Sequence, residues 1–373
     1  MKIMFAAGGT GGHINPALAA AGEIRRRYPD AQILFIGTKE KMESRLVPAA
    51  GFDFKTIEIS GFQRKLSLEN IKRNIGTVVK LMKSTSSCKK LIEDFNPDVV
   101  VGFGGYVSGP VVRTAAKMGI KTAIHEQNAF PGVTNKALAK TADAVMLTVP
   151  KAAEYLECKV EPVVTGLPVR GEILSADRDF SRVKLGLDDK PMILSFGGSL
   201  GAKTVNNAMC SLIAELHDKN KCSFIHAYGQ YGTWVPETLK EKGVDIDNEK
   251  NIRVSEYIND MDVCLAAADI VIGRSGASSL SEIEAVGRAS VLIPSPNVAE
   301  NHQYHNAMAL VNNNAARIIE EKDLTDEKLL KVVTELLDNK ELRDEIASNA
   351  KKMSKPDAQN RIADIIVKLA NEK

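Results

Sequence analysis

The sequence predicts an α/β protein of two domains, each a parallel β-sheet wrapped by helices. Three observations carry this. Short apolar runs alternate with amphipathic helical stretches along the whole chain, the pattern of buried parallel strands joined by helical crossovers. The order restarts part-way: Met192-Ile193-Leu194-Ser195-Phe196 runs into Gly197-Gly198-Ser199-Leu200-Gly201, echoing an opening strand and glycine loop. And 373 residues are enough for two domains with full cores.

The first element is a strand over Lys2–Ala7, stopped by Gly8-Gly9-Thr10-Gly11-Gly12-His13. Helical spacing begins after Pro16. Four glycines around one threonine are more than an ordinary turn needs. Such a turn lets backbone N–H groups approach an anion at a positive helix end, with a histidine at its mouth. The second strand, Gln32–Ile36, ends at Gly37-Thr38 without a carboxylate, so a dinucleotide fingerprint is absent. Gly198–Thr204 approaches a Walker loop, but with the wrong spacing.

Further strands follow at Asp98–Val101, Thr122–His125 and Ala144–Leu147. The first of these feeds Gly102-Phe103-Gly104-Gly105-Tyr106-Val107-Ser108-Gly109-Pro110, a second glycine loop ahead of a helix. Its glycines suit anion binding or tight helix–sheet packing; Tyr106 stacks on a sugar or covers the loop. His125-Glu126-Gln127-Asn128 puts four polar residues at a strand end. Buried and unpaired they would be costly, which favours a site, with a satisfied structural network as the alternative.

After a Pro- and Gly-punctuated stretch over 162–191 come strands Met192–Phe196, Ser223–Ala227, Asp269–Ile272 and Ser290–Ile293. Gly197–Gly201 before a helix at Lys203 suits a nucleotide diphosphate. Gly273-Arg274-Ser275-Gly276-Ala277 reads as strand, turn and helix start. Glu282 then sits near the rim, where a carboxylate takes two hydrogen bonds from a ribose diol or complements its own helix dipole. Glu300-Asn301-His302-Gln303-Tyr304-His305-Asn306 is a polar cluster suited to sugar hydroxyls. The tail from about Leu336 is helical in pattern.

Composition excludes several classes. Five scattered cysteines form no CxxC pair, which argues for reduced thiols rather than a disulfide framework or zinc site. No apolar run reaches the roughly 20 residues of a spanning helix, and the first strand begins at once, with no signal-peptide plan. Residues 1–164 carry 23 Lys/Arg against 15 Asp/Glu (+8), and residues 165–373 carry 26 against 32 (−6). A basic first half faces something anionic, either nucleic acid or an acidic membrane.

Taken in order, GGTGGHINP (Gly8–Pro16), GFGGYVSGP (Gly102–Pro110), HEQN (His125–Asn128), GGSLGA (Gly197–Ala202), RSGA (Arg274–Ala277) with Ser281-Glu282-Ile283, and NHQYHNA (Asn301–Ala307) resemble the MurG family. These are UDP-N-acetylglucosamine:lipid I N-acetylglucosaminyltransferases of bacterial peptidoglycan synthesis. The resemblance covers essentially the whole chain.

It implies a GT-B fold, two Rossmann-like domains with parallel sheets facing across a deep cleft. The first domain (1–164) would face acceptor and membrane, the second (165–352) would bind UDP-GlcNAc, and a closing helix of about 353–373 would pack back on the first. It implies Glu282 on the ribose, the Ile258 backbone on uracil, and Ser199, Leu200 and Gly201 with Arg170 on the diphosphate. Ser275, Gly276, Ala277, His302 and Gln303 would complete the donor site, joined across the cleft by Asn128 and by Thr10, Gly11 and Gly12. Gly11, Gly12, Gly104, Gly105, Tyr106 and Ser108 would hold the acceptor's pyrophosphate.

The implied reaction is an inverting attack of the acceptor's 4-hydroxyl. His13 would act as general base; Glu126 is the alternative base or orients an imidazole. No metal or other cofactor is expected, and the sequence lacks an Asp-x-Asp metal pair. The partners implied are UDP-GlcNAc, polyprenyl-linked lipid I and an anionic membrane surface at the cytoplasmic face of the bacterial cell membrane.

The segment from Arg64 to Lys90 has eight basic residues and one acid, Glu69, interleaved with Leu66, Leu68, Ile71, Ile75, Val78, Val79, Leu81 and Met82. That is the composition of a helix resting on anionic lipid, each cation contributing on the order of 1 kcal/mol. Rival readings are another GT-B enzyme, such as a UDP-GlcNAc 2-epimerase or a diacylglycerol glucosyltransferase, and a nucleic-acid binding module. Aromatics at 5% speak against nucleic acid as a partner.

Overall fold

The computed structural model describes residues 1–59, 84–219 and 221–372. Residues 64–83 of the basic segment lie outside the described residues. The chain divides into two compact units, Met1–Pro168 with Asp357–Lys373, and Val169–Pro356.

In the first unit the chain runs β1 (Lys2–Ala6), α1 (Gly11–Arg27), β2 (Gln32–Gly37), α2 (Glu43–Ala49), β3 (Asp53–Thr56) and helical residues 84–95 (α3). It continues through β4 (Val99–Gly102), α4 (Gly105–Lys117), β5 (Lys121–Glu126), α5 (Val133–Ala139), β6 (Ala144–Leu147) and β7 (Val163–Val164). All pairings are parallel, in the order β3-β2-β1-β4-β5-β6-β7.

The period-2 alternation of each strand divides the core into two layers. Ile3, Phe5, Ile33, Phe35, Val99 and Val101 share one face with Ile14, Ala17, Ala21 and Ile24 of α1. The Phe5 and Phe35 rings stack there at 5.0 Å. Met4, Ala6, Leu34, Ile36 and Val100 point to the other face, against Cys88 and Ile92 of α3 and Val107, Val111 and Ala115 of α4. Apolar residues on both faces make these strands continuous hydrophobic runs.

The second unit repeats the plan: α6 (Gly171–Ser175), α7 (Arg178–Leu185), β8 (Met192–Phe196), α8 (Lys203–Leu216), β9 (Ser223–Ala227), α9 (Val235–Glu241), β10 (Ile252–Ser255), α10 (Met261–Ala267) and β11 (Ile270–Gly273). Then come α11 (Ala277–Val286), β12 (Ala289–Leu292), α12 (His302–Val311), β13 (Arg317–Ile318), α13 (Asp326–Asp338) and α14 (Lys340–Met353). Its parallel sheet has the order β10-β9-β8-β11-β12-β13.

In each sheet the strand order reverses beside the first strand, between β1 and β4 and between β8 and β11. Ligands in such sheets bind outside the strand carboxyl ends at this switch point.

The last helix, α15 (Ala358–Asn371), belongs to the first unit. Ile362, Ala363, Ile366 and Leu369 complete the layer that α1 begins, and Arg27 of α1 pairs with Asp364 at 2.5 Å. The cysteines carry free thiols. Burial pushes Cys88, Cys222 and Cys264 up to about 12, which leaves them unreactive thiols inside the layers. Among the described residues no helix is long and apolar enough to cross a membrane.

Candidate active site

The four helices that follow the switch-point strands share one property. α1, α4, α8 and α11 begin at Thr10, Gly104, Ala202 and Gly276, and none of these residues caps its helix with a side chain. Asp177, Thr325 and Asn339 cap α7, α13 and α14, and α2, α5, α6, α9, α10, α12 and α15 also lack a side-chain cap, so it is the place of the four at the switch points that sets them apart. Uncapped first-turn N–H groups with the positive end of the helix dipole are suited to bind anions.

In the first unit, the loops after β1 and β4 touch. A Cβ on Gly105 would lie 2.3 Å from the Gly8 carbonyl oxygen, and one on Gly104 would lie 2.7 Å from the His13 ring. Both glycines have positive φ, +97° at Gly104 and +78° at Gly105, so only glycine suits either place. The half-buried His13 has Nδ1 3.1 Å from the Gly8 carbonyl and 3.3 Å from the Thr10 hydroxyl. A carbonyl can only accept, so Nδ1 carries the proton and the basic lone pair belongs to Nε2. Gly11 and Gly12 form the first turn of α1 below it, and Tyr106 stands exposed on α4.

Ser108, expected among the anion ligands, turns inward instead. Its hydroxyl is fully buried, 2.8 Å from the Ala6 carbonyl and 2.7 Å from that of Gly104, and it accepts the Gly104 N–H. It staples the β4–α4 loop to β1.

The polar run at the end of β5 is a folded network. His125 is fully buried, stacked on Phe103, with Nε2 3.0 Å from the Gly166 carbonyl; burial pushes its pKa down to about 4. Gln127 bridges the His125 ring and the Phe103 carbonyl. Glu126 accepts from the N–H and side-chain amide of Asn128, from the Gly132 N–H and from Asn135. Burial raises its pKa, and these donors oppose the rise. Its observed partners tie down the loop that carries Asn128, and Asn128 is the half-buried end of the run.

In the second unit, Ser199 and Leu200 form an exposed turn after β8. The turn is fixed by Gly201 N–H to the Gly198 carbonyl and by amides of Gln230 and Tyr231 to the carbonyls of Ser199 and Leu200. Ile258 lies between β10 and α10 with a buried side chain. Its main-chain N–H and C=O make no hydrogen bond among the described residues.

After β11, Ser275 is buried and donates to the Gln303 carbonyl at 2.8 Å. Gly276 and Ala277 open α11. Glu282, further along it, pairs with Arg170 at 3.0 Å, and burial raises its pKa against the pull of that arginine.

The Gln303 side chain accepts the Ser295 N–H at 2.9 Å, and His302 Nδ1 lies 2.8 Å from the Ala299 carbonyl. Glu300 and Asn301, just before them, both have positive φ, 53° and 49°. Two consecutive non-glycine residues in this region store strain, of the kind found at ligand sites.

Residues 3–147 match the glycosyltransferase family 28 N-terminal domain, and residues 192–362 match the glycosyltransferase family 28 C-terminal domain. The chain belongs to glycosyltransferase family 28. A family relative in Thermoanaerobacter sp. (strain X514) is 45% identical over 98% of this chain and 99% of its own. One in Desulforamulus reducens is 42% identical over 99% of both chains. Both are called UDP-N-acetylglucosamine--N-acetylmuramyl-(pentapeptide) pyrophosphoryl-undecaprenol N-acetylglucosamine transferase.

Among solved structures, the crystal structure of Acinetobacter baumannii MurG is 32% identical and superposes with a TM-score of 0.81 over 98% of this chain and 99% of that one. A putative UDP-N-acetylglucosamine 2-epimerase from Listeria monocytogenes, 17% identical with a TM-score of 0.68 over 100% of this chain and 97% of that one, shares the fold.

Three features of this family 28 chain escape a reading of its sequence. Glu43, on α2, is fully buried behind the first glycine loop and accepts the Gly9 N–H at 3.1 Å. Gly229 packs on Gly201 so closely that a Cβ on it would lie 2.1 Å from the Gly201 nitrogen. Arg274 reaches the Ile293 and Pro294 carbonyls and pairs with Glu321 at 2.5 Å, joining the ends of β11 and β12. Glu43 carries no local pattern. Arg274 stands in the RSGA motif, but nothing in the sequence marks its pairing with Glu321. The glycines flanking Gln230-Tyr231 were the only signal of the second.

Proposed function

We propose that this chain transfers N-acetylglucosamine from UDP-N-acetylglucosamine, with inversion, to the 4-hydroxyl of the N-acetylmuramyl unit of a pyrophosphoryl-undecaprenol-linked acceptor. This step makes lipid II from lipid I in peptidoglycan synthesis. The observation that carries it is the 45% identity, spanning 98% of the chain, to a relative named for this transfer.

The second unit holds the donor. Ile258 offers an amide and a carbonyl, the complement of a uracil edge. Glu282 takes the ribose diol, and Arg170, already beside it, turns to the diphosphate. Ser199, Leu200 and Gly201 with the start of α8, and Ser275, Gly276 and Ala277 at the start of α11, meet the charge that grows on the departing UDP. His302 and Gln303 orient the sugar.

The first unit holds the acceptor pyrophosphate through Gly11, Gly12, Gly104, Gly105 and Tyr106. His13 takes the 4-hydroxyl proton on Nε2, so that oxygen attacks the anomeric carbon from the face opposite UDP. Glu126 acts on Asn128 rather than on the proton. The basic composition of residues 64–90 supports peripheral binding to anionic lipid at the cytoplasmic face.

The test is incubation of full-length protein with labelled UDP-N-acetylglucosamine and a short-chain lipid I analogue in EDTA. A β-linked disaccharide product is expected; epimerised donor without transfer, or no product, overturns the reading.

A further inference from the structure

The Gly8–Gly9 peptide unit is held at both ends. Its carbonyl oxygen, on Gly8, is 3.1 Å from His13 Nδ1. Its N–H, on Gly9, donates at 3.1 Å to Glu43 Oε2. The other carboxylate oxygen accepts from the Thr38 N–H at 3.0 Å and the Thr38 hydroxyl at 2.7 Å. Glu43 is fully buried, and among the described residues its donors are these neutral groups rather than a cation. Two glycines make room for it: a Cβ on Gly8 would lie 2.7 Å from Glu43 Oε1, and one on Gly37 would lie 2.5 Å from its Cγ.

We propose that Glu43 is a positioning residue for His13, acting through the Gly8–Gly9 peptide as a carboxylate–peptide–imidazole relay. The carboxylate at the N–H end polarises the peptide and enriches its carbonyl oxygen in negative charge. That oxygen then fixes the Nδ1–H tautomer, directs the lone pair to Nε2 and stabilises the imidazolium formed when a proton is taken up.

Among the described residues, the other charged side chains around Glu43 in the β2–α2 loop and α2, Lys39, Glu40, Lys41 and Arg45, are exposed. Residues 11–22 of α1 hold no ionisable side chain besides His13 itself. The β4–α4 loop presents Gly104 and Gly105 to the ring and Gly8 carbonyl, with Tyr106 out in solvent at 62% exposure. The relay's relevance to turnover rests on the reading of His13 as base; the relay itself does not.

Ring 15N spectra of the full-length protein test it, with the His13 signal assigned by its loss in His13→Ala. The wild type is expected to show His13 protonated at Nδ1 and bare at Nε2 when neutral. Glu43→Gln is expected to lower the His13 pKa by about half a unit or more. The acid limb of the kcat/KM profile moves with it, and the KM for UDP-N-acetylglucosamine stays unchanged.

Thr38→Val keeps the charge and removes a competing donor, so it is expected to raise the His13 pKa; a merely structural role predicts no rise. The relay is overturned by an Nε2-protonated tautomer in the wild type, by a folded Glu43→Gln whose His13 titration is unmoved, or by an unmoved or lowered pKa in Thr38→Val. If Glu43→Gln fails to fold, the tautomer and Thr38→Val decide. Near-normal turnover in His13→Ala sinks the base assignment alone, and the spectra still judge the relay.

Discussion

At the scale of single residues, the candidate chemistry divides between groups that reach ligand and groups that hold those groups in place. On the proposed function His13 belongs to the first kind. His13→Ala is expected to cut kcat about 10²–10⁴-fold, the range of a general base, and to leave UDP binding intact; near-normal rates at neutral pH would remove it from the mechanism. Glu282→Ala is expected to raise the KM for UDP-N-acetylglucosamine about tenfold or more, since a charged hydrogen-bond partner contributes about 1.5–3 kcal/mol. Gly105→Ala combines a positive φ with a Cβ 2.3 Å from the Gly8 carbonyl. Strain of that kind costs about 1–3 kcal/mol, and activity should fall with it as the His13 acceptor shifts.

The buried histidines set a pH dependence of stability. His226 is fully buried beside Ser195 (2.7 Å), and burial lowers its pKa to about 4. Between pH 4 and 6.5 the unfolded chain binds a proton that the folded chain refuses. Stability from this group is therefore complete above pH 6.5 and lost as pH falls towards 4. From pH 7 to 5 the loss is about 2 kcal/mol. Glu284 acts in the opposite sense: burial raises its pKa to about 7, so its contribution fades as pH rises. The measurement is thus a difference. Urea midpoints followed by Trp234, the single tryptophan, should drop less from pH 7 to 5 in His226→Gln than in wild type.

At the scale of elements, the strands at the centre of each sheet were legible because both their faces are buried. Val99–Gly102 is an unbroken apolar run ending in glycine, and Ile270–Gly273 is another. The edge strands were not. β3 reads Asp-Phe-Lys-Thr and β13 has only Arg317 and Ile318; with one neighbour and partial exposure they carry no apolar pattern. Neither was the partnership of loops. Gly201, in the glycine loop after β8, also meets the loop after β9: the Tyr228 carbonyl lies 2.1 Å from a Cβ placed on it. Gly201→Ala should therefore push apart the loops after β8 and β9. The expected result is weaker UDP binding by calorimetry, with the first unit's thermal transition unchanged.

The polar run at the end of β5 teaches the same lesson. Four polar residues marked a place where burial had to be balanced. Only the fold shows that Gln127 bridges the His125 ring and the backbone, while Glu126 takes its hydrogen bonds from Asn128, Gly132 and Asn135, with Asn128 at the half-buried end.

At the scale of the whole molecule, the first unit is discontinuous in sequence. Its layer beneath β1 is half built by α15, from the far end of the chain. Ile362, Ala363 and Ile366 are fully buried. Removing residues 358–373 exposes this face of α1 and the sheet, where each fully buried aliphatic side chain contributes about 1.5–3 kcal/mol. The expected outcome is loss of the first unit's thermal transition and of acceptor turnover, with calorimetric UDP binding kept by the second unit. Retention of a normal first transition would show that α15 is dispensable.

What the sequence determined by itself is what local chemistry encodes: the central strands by their apolar runs, the tight strand-to-helix turns by their glycines, and the family by six motifs in order. What tertiary structure decided is which groups meet across long separations in the chain. Glu43 reaches the Gly9 amide, Ser108 the Ala6 carbonyl, and Gly229 the Gly201 turn. The physical reason is that a hydrogen bond or a close backbone approach depends on distance in space. A sequence shows such a meeting only where a glycine, a charge or a periodic apolar face leaves a mark at both ends.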